Sequence, residues 1–261
     1  MDKLYIIKIG GNVIDNPAAL DAFLKDFSNL KGNKILVHGG GKMASALSEQ
    51  MGIKPVMHEG RRITDEATLK VVTMMYAGWV NKNIVAALQA LNINAIGLSG
   101  ADANIIQSEK RPVKNIDFGF VGDVKKLNDA AIKMLIKNKI TPVVCAITHD
   151  KKGQLLNTNA DTIAAELGIA MAKLYNVQLV YCFEKAGVLK DSNNETSLIE
   201  KIDAKLYELL KKDGTIAGGM LPKIHNCFQA LQKGVEAVAI MQSSKLSTLH
   251  AKKLHGTELY L

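Results

Sequence analysis

Several lysines, glycines and acidic residues of this chain stand at the ends of apolar runs, in a pattern suited to handling anions. Lys8 lies inside Ile6-Ile7-Lys8-Ile9-Gly10-Gly11. A lysine within a buried strand is costly unless its ammonium meets an anionic partner. At the carboxyl end of a sheet strand, where α/β proteins bind ligands, it would meet one. On an edge strand it would point to water. Gly10 and Gly11 favour the first reading, because they let a ligand approach the backbone closely. His38-Gly39-Gly40-Gly41 follows a second apolar run and opens a helix. N–H groups at such a turn bind anions or a developing oxyanion, although a tight strand-to-helix loop also favours glycine. It is no Walker A loop: Leu36 stands at the first required glycine and Met43 at the Ser/Thr position.

Asn157-Thr158-Asn159-Ala160-Asp161 opens another helix. Asn159 suits the N-cap and Asp161 the first turn. Asp161 could also anchor one or two lysine ammoniums. In Gly218-Gly219-Met220-Leu221-Pro222-Lys223 the lysine falls in a first helical turn, a poor place for a cation unless an anion lies nearby. A surface lysine behind a helix-starting proline is the plainer reading. A different chemistry also has a foothold. His38 to Gly41 and Gly97-Leu98-Ser99-Gly100-Ala101 approximate the oxyanion turn and nucleophile elbow of a serine hydrolase. Ser99 would be its nucleophile and His149 or His225 its base, and the lysines would then have no role.

These groups must be positioned by an alternation of short apolar runs and longer amphipathic ones. Strands are expected at residues 4–9, 34–37, 95–98, 140–147, 177–183, 235–240 and 258–261. Helices are expected at 17–30, 42–51, 66–91, 128–138, 160–174, 204–212 and 221–233. Residues 103–127 read as a β-excursion, with a hairpin joining 118–121 to 124–127 around Gly122-Asp123. Strands apolar on both faces that alternate with helices argue a parallel sheet covered on both sides. The clearest division falls near residue 174.

The 261 residues carry a formal net charge of +8, which favours anionic ligands. The basic residues occur as scattered pairs and aromatics make up 5%, so no nucleic-acid stripe is expected. Three cysteines in apolar surroundings read as buried thiols. No apolar run approaches the ~18 residues of a spanning helix, and the start reads as no signal peptide. A cytoplasmic protein without membrane partners is the expectation.

The ordered set of motifs resembles the amino-acid kinase family over nearly the whole chain. It comprises Lys8-Ile9-Gly10-Gly11, residues 37–41, Gly60-Arg61-Arg62-Ile63-Thr64-Asp65, Val80-Asn81-Lys82, Gly97-Leu98-Ser99-Gly100, Val121-Gly122-Asp123-Val124, residues 157–161, Ala186-Gly187-Val188-Leu189 and residues 218–223. Arg62 in its motif is similar to the branch acting on acylglutamates. The resemblance implies a three-layer αβα sandwich around a mainly parallel open sheet, with a β-hairpin excursion. Residues 1–173 would form a lobe that binds the acylglutamate and dimerises, and residues 174–261 one that binds ATP. The implied activity is ATP-dependent phosphorylation of the γ-carboxylate of N-acetyl-L-glutamate, in arginine biosynthesis, with Mg²⁺ accompanying ATP. N-succinyl-L-glutamate is the alternative acceptor, with Arg61 as its extra cation.

By matched position, Lys8 and Lys223 would stabilise the transferring group and Asp161 would hold both. Gly11, Gly40 and Gly41 would supply N–H groups, and Arg62 and Asn157 would bind the α-carboxylate end. Gly10, Glu184, Lys185, Ala186, Gly187, Thr215, Ile216 and Ala217 would line the nucleotide site. No residue is assigned to metal, since Mg²⁺ in such sites is held mainly by phosphates and water. Cys182-Phe183-Glu184-Lys185 and Gln242-Ser243-Ser244 depart from the family's usual residues at the nucleotide end. The first strand, from about Leu4, leaves no room for the extra helix that links dimers in arginine-inhibited members. The expectation is an arginine-insensitive homodimer formed mainly through residues 66–91, with Val71, Val72, Met74, Met75 and Trp79 as candidates for its face or, for some of them, for the core.

Overall fold

The computed structural model describes residues 1–58, 60–191, 193–218, 220–249, 251 and 254–261. Gly219 of the 218–223 motif and the Lys252-Lys253 pair lie outside the described residues. The chain opens on β1 (Lys3–Ile9), turns through α1 (Gly11–Ile14) into α2 (Pro17–Asn29), and returns through β2 (Asn33–His38) and α3 (Gly41–Gln50). A hairpin of β3 (Val56–His58) and β4 (Arg61–Ile63) precedes a long helix. That helix runs as α4 (Glu66–Thr73), a π-helical stretch over Met74–Val80, and α5 (Asn81–Ala90). There follow β5 (Ala95–Leu98), β6 (Ile106–Lys110), β7 (Gly122–Leu127), α6 (Asp129–Lys137), β8 (Thr141–Cys145), β9 (Ile147–His149), β10 (Leu155–Asn157) and α7 (Ala160–Met171). The last part comprises β11 (Asn176–Phe183), β12 (Lys201–Ile202), α8 (Ala204–Lys212), α9 (Met220–Gln232), β13 (Ala237–Gln242) and β14 (Gly256–Leu259).

Eight strands form one sheet in the order β12-β14-β13-β11-β1-β2-β8-β5, parallel except where β13 meets β14. The sheet runs through both halves of the chain, because β1 pairs with β11. Alternate residues of β1 feed opposite faces: Leu4 and Ile6 join one apolar cluster, Tyr5, Ile7 and Ile9 the other. Helices cover both. Phe23, Leu24 and Phe27 of α2 and Ile84 and Leu88 of α5 pack on the second face; Ile163 and Leu167 of α7 and Ile224 and Cys227 of α9 pack on the first. This is the αβα sandwich expected from strands apolar on both faces.

The register places the site. Ile9 stands opposite His38 of β2 and Cys182 of β11, so three neighbouring strands end at one level. The Gly10-Gly11 turn, the His38–Gly41 turn and the chain after Phe183 leave the sheet side by side. The caps follow side-chain chemistry: Asn16, Asn128 and Asn159 each accept an N–H from their helix's first turn.

The excursion differs from expectation. β7 pairs with β6, not with residues 118–121, and Lys110 stands opposite Gly122. Residues 118–121 instead bond to the chain after β4: Thr64 N–H donates to Phe118 O at 3.0 Å, and Phe120 N–H to Thr64 O at 2.7 Å. The expected strand at 140–147 breaks at Ala146, whose carbonyl accepts Thr158 N–H at 3.0 Å, and β9 leaves for a second sheet ordered β10-β9-β6-β7. The long helix corrects the proposed contact face, since Val71 and Val72 are fully buried within the subunit. Met75 packs against both clusters, whereas Met74 and Trp79 are exposed.

Gly119 tests the strap at residues 118–121. Its φ is +69°, and a Cβ there would lie 2.2 Å from Thr64 O. Gly119→Ala should break both Thr64 hydrogen bonds and cost roughly 1–3 kcal/mol, read as a lowered Tm. An unchanged Tm would show that the strap is not held as described.

Candidate active site

Lys8, at the end of the central strand, and Lys223, in the first turn of α9, converge on one carboxylate. Lys8 Nζ lies 2.6 Å from Asp161 Oδ1, and Lys223 Nζ donates to Asp161 Oδ2 at 2.7 Å. Neither lysine points to open water: their side chains are 13% and 14% exposed, and that of Asp161 is 17% exposed. Both plain readings of these lysines therefore fail. Lys223 also sits 5.3 Å from the centre of the Tyr181 ring, a contact that favours a cation.

Asp161 is itself held. It lies in the first turn of α7, its N–H donates to Asn159 Oδ1 at 2.8 Å, and its carbonyl accepts Tyr181 OH at 3.1 Å. Burial by itself raises a carboxyl's pKa, but Lys8 and Lys223 outweigh that and hold Asp161 well below the usual carboxylate range. Burial pushes the Lys8 ammonium down; Asp161 opposes the shift and Lys223 adds to it. The result is a carboxylate ionised across the physiological range, with two cations poised on it. Each ammonium retains further N–H donors for a ligand.

A cavity of about 380 Å³ extends from this cluster. Gly39, Gly41, Arg62, Asn157, Asp161 and Lys223 line it, so most of the residues singled out for the acyl-substrate end come together. Arg62 Nη2 donates to Gly41 O at 2.8 Å and to Ser45 Oγ at 2.7 Å, while its buried Nη1 has no hydrogen-bond partner among the described residues. Asn157 Nδ2 donates to Thr64 Oγ1 at 3.0 Å, leaving its amide oxygen uncommitted. Among the described residues, the N–H groups of Gly11, Gly40 and Gly41 donate to nothing within the protein. Gly10 is different: its N–H is already bonded to Cys182 O at 2.9 Å. What Gly10 offers a ligand is a missing side chain.

The residues singled out for a nucleotide lie apart from this cavity. Glu184, Lys185, Ala186 and Gly187 follow the end of β11, with Lys185 paired to Glu195 at 3.3 Å. Gly187 is required by packing, since a Cβ there would lie 2.6 Å from Thr257 Oγ1. Thr215, Ile216 and Ala217 precede α9, and Ile216 buries its side chain in the core while its N–H donates to Leu210 O at 2.9 Å.

The serine-hydrolase arrangement is absent. Ser99 Oγ donates to Asp102 Oδ2 at 2.8 Å, His149 Nε2 contacts Asn104 Oδ1 at 2.8 Å, and His225 is exposed on α9. Two residues missed from the sequence line the cavity: Tyr76, from the π-helical stretch, and Arg111. Arg111 forks onto Asp123, with Nη2 at 2.6 Å from Oδ1, and its buried Nη1 has no hydrogen-bond partner among the described residues. Asp123 in the Val121–Val124 motif was the available signal, because a half-buried aspartate facing β6 calls for a cation.

A strand-end lysine, a helix-start lysine, one shared aspartate and glycine N–H groups unpaired among the described residues meet on a three-layer α/β fold, a set suited to an anionic ligand. Residues 3–242 match the amino acid kinase family, and the chain belongs to it. The acetylglutamate kinase of Cytophaga hutchinsonii is 56% identical over 261 residues, covering 99% of both chains. That of Phocaeicola vulgatus is 53% identical over 246 residues, covering 94% of this chain and 96% of its own. Among solved structures, N-acetylglutamate synthase from Neisseria gonorrhoeae, complexed with coenzyme A and N-acetyl-glutamate, superposes with a TM-score of 0.84 at 20% identity. The match covers 99% of this chain, which spans 59% of the length of that synthase. Carbamate kinase from Giardia lamblia bound to AMP-PNP gives a TM-score of 0.72 at 16% identity, covering 99% of this chain and 98% of its own.

Proposed function

We propose that this chain transfers the γ-phosphoryl group of ATP to the γ-carboxylate of N-acetyl-L-glutamate, producing the acyl phosphate used in arginine biosynthesis. The observation that carries this reading is the Lys8–Asp161–Lys223 cluster beside a cavity that Asp161 and Lys223 line together with Arg62 and Asn157. The γ-carboxylate, with an ordinary pKa near 4.3, is ionised at neutral pH. It needs no general base. One of its oxygens forms a bond to the γ-phosphorus, the bond from that phosphorus to the bridging oxygen breaks, and ADP leaves with the electron pair. The obstacle is bringing a carboxylate up to a polyanion. Lys8, Lys223 and the N–H groups of Gly11, Gly40 and Gly41 counter that charge in place, while Arg62 and Asn157 fix the α-carboxylate end.

The donor set suits a Mg²⁺ ion brought in by the nucleotide. Both Asp161 oxygens face lysines, and the described residues contain no group of three or more His, Cys, Asp or Glu able to hold a metal. When bound, the ion's ligands would be phosphate oxygens and water, and it would neutralise charge on the triphosphate. Residues 1–173 serve as the acylglutamate lobe and residues 174–261 as the ATP lobe, with Gly10, Glu184, Lys185, Ala186, Gly187, Thr215, Ile216 and Ala217 at the nucleotide. The enzyme works as a cytoplasmic homodimer. Exposed Trp79 and Met74 on the long helix support a contact face there. Among the described residues no helix is long and apolar enough to cross a membrane.

A second reading, N-succinyl-L-glutamate as acceptor, is favoured by the arginines. Arg61 and Arg111 line the same cavity as Arg62, and Arg111 keeps a buried Nη1 that has no partner among the described residues. A third carboxylate would use that donor. Trapping the acyl phosphate with hydroxylamine, using both acceptors, decides between the readings. The expected result is kcat/KM for acetylglutamate equal to or above that for succinylglutamate. The reverse order, abolished by Arg111→Met with a ten- to hundredfold loss on the succinyl compound, would establish the second reading. Turnover of neither would end both.

A further inference from the structure

The His38–Gly41 turn and the Val80-Asn81-Lys82 and Gly97-Leu98-Ser99-Gly100 motifs meet in one buried network that the reaction above does not use directly. His38 is fully buried. Its Nδ1 lies 2.9 Å from Gly39 O, and its Nε2 lies 2.9 Å from Asn81 Nδ2. Asn81 Nδ2 also donates to Val143 O at 3.0 Å, and Asn81 Oδ1 accepts from Lys82 Nζ at 3.1 Å. Lys82 Nζ reaches Gly97 O as well, at 3.2 Å.

These contacts leave one assignment. A carbonyl accepts and an ammonium donates, so the Asn81 amide has its NH₂ towards Val143 and His38. Nε2 of His38 must then accept, and Nδ1 must carry the proton and donate it to Gly39 O. Burial, reinforced by Lys82, lowers the His38 pKa to about 4, which keeps the ring neutral.

The consequence reaches the site through one peptide. A trans peptide places a carbonyl and the following N–H on opposite sides. With Gly39 O turned to the imidazole, Gly40 N–H points away from the ring. Gly39 and Gly41 on either side both line the cavity, and Gly40 N–H donates to nothing among the described residues. Gly40 itself has φ +144°, and a Cβ would lie 3.1 Å from Tyr76 Cδ1. The π-helical stretch supplies Tyr76 and delivers Asn81 at its end. Gly97 leaves space for the same amide, because a Cβ there would lie 1.8 Å from Asn81 Oδ1.

We propose that His38 is a positioning residue, held by Asn81 in its Nδ1-protonated neutral tautomer so that the Gly39–Gly40 peptide aims the Gly40 N–H at the transferring phosphoryl group. The proposal rests on the phosphoryl-transfer reading of the cavity, but its first test does not. In the full chain at neutral pH, ¹⁵N-histidine NMR should show one neutral ring protonated at Nδ1, a signal missing in His38→Asn. An Nε2-protonated or doubly protonated His38 would overturn the assignment.

The second test is kinetic. In His38→Asn the amide nitrogen can take the Nδ1 position and keep the bond to Gly39 O; in His38→Gln it takes the Nε2 position and cannot. The asparagine variant should keep kcat within about tenfold. The glutamine variant should lose about a hundredfold, the scale of one misplaced N–H donor, with KM for both substrates changed much less. Asn81→Asp, which can only accept from Nε2, should lose kcat like His38→Gln. Equal kcat in the His38 asparagine and glutamine variants, high or low, would overturn the proposal. Absence of acyl phosphate formation in the unmodified enzyme would overturn the functional reading while the tautomer signal stood.

Discussion

Asp161→Asn is expected to lower kcat by two to three orders of magnitude, the scale of losing an oriented charge-stabilising donor, without weakening ATP binding. Asp161 touches both lysines, at 2.6 and 2.7 Å, and holds them against one carboxylate. With an amide there, two buried ammonium groups face each other with no counter-charge. Triphosphate would become their main anionic partner, so KM for ATP should hold or fall while the geometry for transfer is lost. A pH dependence should appear as well. Burial and Lys223 both lower the Lys8 pKa, and Asp161 raises it. Removing the larger of the raising influences, ahead of Cys182, moves deprotonation of Lys8 to lower pH than in the unmodified enzyme. Residual kcat of the variant should therefore decline as pH rises, at a pH where the unmodified enzyme is still flat. Lys8→Ala and Lys223→Ala should each lose kcat by a similar factor. Near-normal turnover in folded Lys8→Ala would refute the mechanism.

The reason this cluster was legible in the sequence is that both of its lysines broke a local rule. Lys8 is a charge within an apolar strand, and Lys223 is a cation at the wrong end of a helix. Such misfits mark places where a distant partner compensates, and here the two share one partner. The parallel sheet was legible because both faces of β1, β2, β8 and β11 are apolar. The N-caps were legible because asparagine at a helix start has one local job.

What was hidden depended on distance along the chain. Residues 118–121 look like one arm of a hairpin with 124–127, but their backbone partners lie at Thr64. The π-helical stretch carries no local signature in Met74–Val80; it is set by the demand that Tyr76 face Gly40 while Asn81 reaches His38 and Val143. Val71 and Val72 could not be told from a contact face, because a helical apolar stripe looks the same whether it faces a sheet or another subunit. Arg111 was hidden for a related reason. Its fork partner Asp123 stands across the β6–β7 pair, and register across a long loop cannot be counted from residue spacing.

Arg62→Met should cost 10²–10³-fold in kcat/KM for the acylglutamate, mostly through KM, which corresponds to about 3–4 kcal/mol at 1.4 kcal/mol per tenfold. That lies within the range for removing one partner of a buried, hydrogen-bonded charge pair. Arg62 is 8% exposed, and its Nη2 donates to Gly41 O and Ser45 Oγ. Its buried Nη1 has no hydrogen-bond partner among the described residues, a costly state that a substrate carboxylate would relieve. Arg62→Lys separates this role from a purely structural one. Lysine keeps the charge but lacks the fork, so it cannot hold the Gly41 turn and a carboxylate together. It should recover part of the affinity and leave kcat reduced, because Gly41 supplies one of the free N–H groups beside the lysine pair. KM for ATP should stay close to normal in both variants. If KM for the acylglutamate were unchanged in both while the Tm fell, Arg62 would be a strut between Gly41 and Ser45, and the α-carboxylate would have to be bound elsewhere.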